Sequence, residues 1–171
     1  MFDDDDFNAD AFGDEAFEDR KDHRDTPLFK KAMEITELAL AIVTAAPDEI
    51  KDKQKEHGGF EDEMLEGTKR DMVEYAYTIS GKLAGAQSMN MYDLQMEYAA
   101  LVRRACRELV TCLRGLEIAG HLEEDHFNLL RQAVSEFQPL FAEWVATFKD
   151  SDYFWDDWGL FNPPGAIRDN N

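Results

Sequence analysis

The sequence predicts an all-α fold: an antiparallel up-down-up-down four-helix bundle with an extension at each end. Three observations carry this reading. Apolar residues recur at 3- and 4-residue steps through four stretches between residues 26 and 149. Helix-stopping residues separate the stretches, namely Pro47, the Gly58-Gly59 pair and the Gly120-His121-Leu122 turn. Good capping residues stand at the expected starts. The chain divides into an acidic extension (1–25), the bundle (26–149) and an aromatic C-terminal strap (150–171).

The first helix starts at Thr26 as N-cap with Pro27 in the first helical position. Its stripe is Leu28, Phe29, Ala32, Ile35, Ala39, Ile42, Val43 and Ala46, and Pro47 stops it. A polar loop runs to Gly58-Gly59. The second helix spans about Glu61 to Ala86, with Leu65, Thr68, Met72, Tyr75, Ile79, Leu83 and Ala86 on its seam. Gly81 and Gly85 weaken it locally and admit a neighbouring backbone. The third helix follows Asn90 as N-cap and ends at Gly120, a favoured C′ residue. Leu94, Tyr98, Leu101, Ala105, Leu109, Cys112 and Leu116 share its apolar face. The fourth starts near Glu123 and buries Leu130, Val134, Phe137, Phe141, Trp144 and Phe148. Pro139 removes one backbone donor and predicts a bend without a stop.

Composition narrows the function. The formal net charge is −19 over 171 residues. Residues 1–25 hold 11 acids against three bases, and residues 150–171 hold five against one. Such a field repels nucleic acid at long range. No apolar run reaches membrane-spanning length, and the acidic opening is unlike an export signal, so the cytoplasm is the expected location. Cys106 and Cys112, six residues apart in one helix, cannot bond to each other there and read as small core residues.

Within residues 1–25, Phe2, Phe7, Phe12 and Phe17 recur every five residues among Asp and Glu. That step fits neither a helix face nor a strand face. The composition predicts disorder in isolation, as either a solubilising tail or one that docks a basic, greasy surface.

Part of the bundle resembles a known family. Glu108-Leu109-x-Thr111-x-Leu113, the Gly120 turn and the acidic Glu123-Glu124-Asp125 start are similar to the third and fourth helices of the 23S rRNA intervening-sequence four-helix-bundle proteins. Phe29-Lys30-Lys31-Ala32-Met33-Glu34 resembles their opening helix. Lys82 and Gly85 stand where that family carries Asn and Glu, so the roles of those two polar residues do not transfer. The resemblance covers about 27–149. It implies a bundle that often assembles into a ring-shaped pentamer, and it does not imply an enzyme. Relatives include the accessory protein of diversity-generating retroelements, which resembles a basic ring engaging nucleic acid.

Two constellations remain as candidate sites. Arg103, Arg107 and Arg114 fall within about 40° on the third helix, at 100° per residue, opposite its apolar face. Such a ridge binds phosphates or carboxylates, or else pairs with Glu97, Glu108 or an acidic tail. The C-terminal segment carries Tyr153, Phe154, Trp155, Trp158, Leu160 and Phe161. These rings are expected to strap along the bundle or a neighbouring subunit, or to recognise another protein. No cofactor is expected. A di-metal site needs two Glu-x-x-His pairs, and only Glu123-His126 is present. No nucleophile elbow or phosphate loop is found. The expectation is therefore a non-enzymatic, self-associating interaction protein. A nucleic-acid accessory role through the arginines is the alternative, and a metal-dependent enzyme is the least favoured.

Overall fold

The computed structural model describes residues 23–46, 58–120 and 124–168. Residues 1–22, 47–57, 121–123 and 169–171 lie outside the described residues, and with them the Pro47 stop, most of the expected polar loop and the expected His121-Leu122 turn. Four helices make the body: α1 (Pro27–Ala45), α2 (Gly58–Gln87), α3 (Tyr92–Ile118) and α4 (Glu124–Ala146). A 3₁₀ turn at His23–Asp25 precedes α1, and another at Thr147–Asp150 follows α4. Among the described residues there is no strand, only an isolated bridge between Met91 and Asp152. No described helix is long and apolar enough to cross a membrane.

Each helix packs on two others in ring order: α1 on α2 and α4, and α3 on α2 and α4, with the diagonal backbones held apart. The α2–α3 seam is the closest, and the α3–α4 seam is the most open. Lys31 Nζ, on α1, reaches Glu34 at 2.6 Å and Glu136 of α4 at 2.7 Å. Arg131 of α4 pairs with Glu117 of α3. Thr36 Oγ1 donates to its own helix at Ala32 O (3.0 Å) and across to Ala76 O of α2 (3.2 Å). That bond satisfies a buried hydroxyl and pins α1 to α2.

The α1 start is as expected. Thr26 Oγ1 accepts from the Phe29 amide at 3.2 Å, and Pro27 occupies the first turn. Gly120 has φ +71°, the left-handed geometry that closes α3. The stripes of α1 and α2 are buried largely as their spacing predicts, and Leu130, Val134 and Phe137 form the α4 face. α4 continues through Pro139.

Four details differ from the sequence reading. First, α2 begins at Gly58, so Gly58-Gly59 is helical. Glycine costs only about 1 kcal/mol per residue in a helix and lacks proline's steric block. Second, Gly81 has open space around it, and Gly85 meets the Tyr98 ring, not a backbone. Lys82 Nζ sits 4.9 Å from the centre of that same ring. Third, the N-cap of α3 is Met91, with no side-chain bond, rather than Asn90. The orphan Tyr92 amide instead donates to Asp152 O at 2.7 Å. Fourth, the first half of the α3 stripe is rotated. Tyr92, Gln95, Ala99 and Val102 are buried, while Leu94 is 40% exposed. Gln95 tolerates burial because both ends of its amide are bonded. Its Nε2 donates to Met89 O (2.8 Å), and its Oε1 accepts from Ser151 Oγ (2.7 Å).

The main core joins all four helices around Ile35, Met72, Ile79, Leu109, Leu113 and Phe137. A second cluster closes one end of the bundle. There Phe148 packs with Tyr92 and Ala99, and Trp144 meets the Phe148 ring edge-on at 4.6 Å.

Candidate functional site

The C-terminal segment is tethered, then turns outward. Asp152 accepts the Tyr92 amide on its backbone and the Asn90 side chain on Oδ2 at 3.1 Å. Beyond it the chain curls around one carboxylate. The Asp156 side chain accepts three backbone amides: Trp158 (2.9 Å), Leu160 (2.8 Å) and Phe161 (3.0 Å). The Phe161, Trp158 and Leu160 amides hold this carboxyl below its ordinary range. Asn162 completes the knot, accepting the Asp156 amide (2.8 Å) and donating to Asp156 O (3.0 Å). Gly159 and Gly165, at φ +70° and +83°, make the turns. Arg168 pairs with Asp157 at 3.0 Å.

With its polar groups turned inward, the loop carries its rings outside. Trp158 is 86% exposed and Phe154 is 74% exposed. Leu160, Ile167, Tyr153 and Trp155 are also exposed, and Phe161 is half-buried. The expected strap along the chain's own bundle is therefore not formed. Phe148 is the aromatic that seals the bundle end, and the rings after Asp152 face outward because the Asp156 knot satisfies the backbone locally.

The second surface lies on the open α3–α4 seam. A groove of about 580 Å³ has an apolar floor of Cys106, Val110, Val134, Phe137 and Phe141. Arg103, Arg107, Glu108, Thr111 and Gln138 form its polar edge. Arg103 and Arg107 thus border this groove rather than standing clear of the apolar face. Arg114 is exposed beyond it. Among the described residues the side chains of these three arginines make no ion pair or hydrogen bond, so the expected pairing with Glu97 or Glu108 is not formed. Thr111 Oγ1 is spent on Arg107 O at 3.0 Å. Burial pushes the Cys106 thiol up to about 12, so it stays protonated near neutral pH and is no nucleophile there.

His126 is exposed at the α4 start, and its expected companion Glu123 lies outside the described residues. Among the described residues no group of three or more His, Cys, Asp or Glu could hold a metal ion.

Searches against protein-family models, curated proteins and solved structures find no match to this chain.

Sequence reasoning located the arginines and the rings but missed the groove and the Asp156 knot. The signal for the knot was present as turn residues among the aromatics: Asp156, Gly159, Asn162 and Pro163-Pro164-Gly165. The groove has no signal on one helix alone, because it arises from the spread of two.

Proposed function

We propose that this chain is a non-enzymatic scaffold that self-associates through its C-terminal aromatic loop. The observation that carries the reading is a hydrogen-bonded loop with large apolar side chains outermost. Scattered apolar residues need no explanation on a surface, but a contiguous set on a fixed loop does. Trp and Tyr are the residues on which protein interfaces concentrate their energy. A second copy is the simplest occupant, since closed homo-oligomers are the commonest assemblies. The resemblance to ring-forming bundle proteins points the same way.

The test is sedimentation velocity of the whole chain at micromolar concentration beside Phe154→Ser/Trp158→Ser. The native chain is expected to sediment as a multiple of its own mass, and the variant as a single chain with unchanged helical circular dichroism. A single-chain mass for the native protein overturns self-association. An oligomer that survives the double substitution overturns the loop as its contact.

A second reading, nucleic-acid binding by an accessory protein, has in its favour the exposed Arg103, Arg107 and Arg114, whose side chains are unpaired among the described residues. Guanidinium groups bind phosphate in bidentate fashion, whereas the net charge of −19 opposes approach. Binding to single-stranded RNA is then expected at 50 mM salt, weakening by 200 mM. Each arginine reversed to Glu should flatten the logarithmic salt slope by about 0.7. Absence of binding at low salt removes this reading.

A further inference from the structure

The groove between α3 and α4 combines features that call for a particular ligand. Its floor is apolar, and at its edge stand two guanidinium groups that have no partner among the described residues. A neutral apolar ligand would leave Arg103 and Arg107 unused, and a simple anion would leave Val110, Val134 and Phe141 uncovered. The matching chemistry is an aromatic side chain flanked by carboxylates. Residues 1–22 repeat that pattern four times, at Phe2, Phe7, Phe12 and Phe17, with 10 acids against two bases.

We propose that the groove is the seat of this chain's own N-terminal acidic segment, which enters intramolecularly with one Phe on the floor and its neighbouring acids on Arg103 and Arg107. The reading is independent of the C-terminal loop, which lies on another surface.

Geometry allows the reach. The described chain begins at His23, in a 3₁₀ turn packed on α1 and α2. Thr26 shares an end cavity with Gln95 of α3 and Trp144 of α4. From Gln95, Arg103 is eight residues further along α3 and Thr111 sixteen, or about 12 and 24 Å. Crossing the bundle end adds about 20 Å, two interaxial distances. Twenty-two residues span up to about 70 Å when extended. On that path of about 32 Å to Arg103 and about 44 Å to Thr111, Phe2 and Phe7 reach the whole groove, Phe12 reaches its Arg103 end, and Phe17, six residues or about 20 Å from His23, falls short. Where the segment runs extended, five residues cover about 17 Å, longer than the roughly 12 Å from Arg103 to Thr111, so an extended segment seats one ring at a time. Glu108 on the same edge opposes the acids and favours their placement towards the two arginines.

Seating has a consequence for the arginines. A tethered acidic segment is present at an effective concentration near millimolar, so it screens Arg103 and Arg107 from any free polyanion.

A nitroxide on Ala9→Cys, in the full-length chain with Cys112→Ser, tests the seat by its effect on the Val110 and Val134 methyl resonances. At low salt both are expected to lose most of their intensity. They should regain it at 0.5 M salt, in Arg103→Glu/Arg107→Glu, and in a chain with Phe2, Phe7, Phe12 and Phe17 all changed to Ser. Both arginines are exposed, so their reversal leaves the fold intact, which the methyl spectrum itself reports. Full intensity in the labelled native chain overturns the proposal. So does equal broadening in the arginine variant. Broadening that also appears when spin-labelled chains are mixed with separate isotope-labelled ones, and that fades when the doubly labelled chain is diluted with unlabelled protein, assigns the groove to a second copy and overturns the intramolecular seat.

Discussion

Phe137→Ala is expected to destabilise the bundle by about 3–5 kcal/mol. The Phe137 ring is buried in the main core, 5.5 Å from the Phe141 ring and nearly parallel to it. Truncation removes the transfer energy of the ring and leaves a cavity that four rigid helices close only partly. Native domains hold only about 5–15 kcal/mol in total, so a fifth or more of the stability is at stake. In a chain of this size the midpoint of thermal unfolding should fall on the order of 10 °C. Urea unfolding of Phe137→Ala beside the exposed neighbour Gln138→Ala is the measurement. The glutamine change should stay within about 0.5 kcal/mol. A loss below 1 kcal/mol for Phe137→Ala would mean that the α4 face is not where the core lies.

The second large effect is expected at the bundle end. Phe148→Ala removes the centre of the cluster it forms with Tyr92 and Ala99, and leaves Trp144 without its edge-on partner. The cost is again about 3–5 kcal/mol, but it falls first on one end. That end also holds the Tyr92–Asp152 bond and the Gln95–Ser151 bond, which tie the C-terminal segment down. Amide exchange separates local from global loosening. The Tyr92 and Ser151 amides are expected to exchange about a hundred- to a thousand-fold faster, while amides between Ala105 and Leu113, which open only with the whole bundle, are expected to be accelerated less. Uniform acceleration across α3 would show that the end cluster has no independent hold on the tail.

Two helix ends that rest on one residue's chemistry were legible in the sequence. Thr26 with Pro27 and Gly120 behave as their side chains, or the lack of one, require. The stripes of α1 and α2 were legible because every position on them is apolar or nearly so. The beginning of α3 was not, because the pattern there is set by a polar residue. Gln95 is buried only because Met89 and Ser151 supply partners, and Ser151 is 56 residues away. A periodicity argument scores Gln95 as a surface residue and shifts the face to Leu94.

The same kind of long-range term governs the candidate surfaces. Counting rings in residues 153–161 predicts burial, since aromatic groups gain from leaving water. What decides the outcome is Asp156, which satisfies three amides within its own loop and so removes the need for the segment to lie along the bundle. The arginine ridge was legible by angle. Its position at the edge of an apolar groove was not, because the wheel of α3 says nothing about how far α4 stands away.

The Asp156 loop also fixes when the ordering cost of that segment is met. Confining a backbone residue costs about 1–2 kcal/mol. For the turn from Asp156 to Asn162 this cost is met as the chain folds, within a single molecule, and not again at encounter. A partner arriving at Trp158 therefore meets a finished surface, and complex lifetime should depend on the fit of the rings more than on the rate at which the loop takes shape.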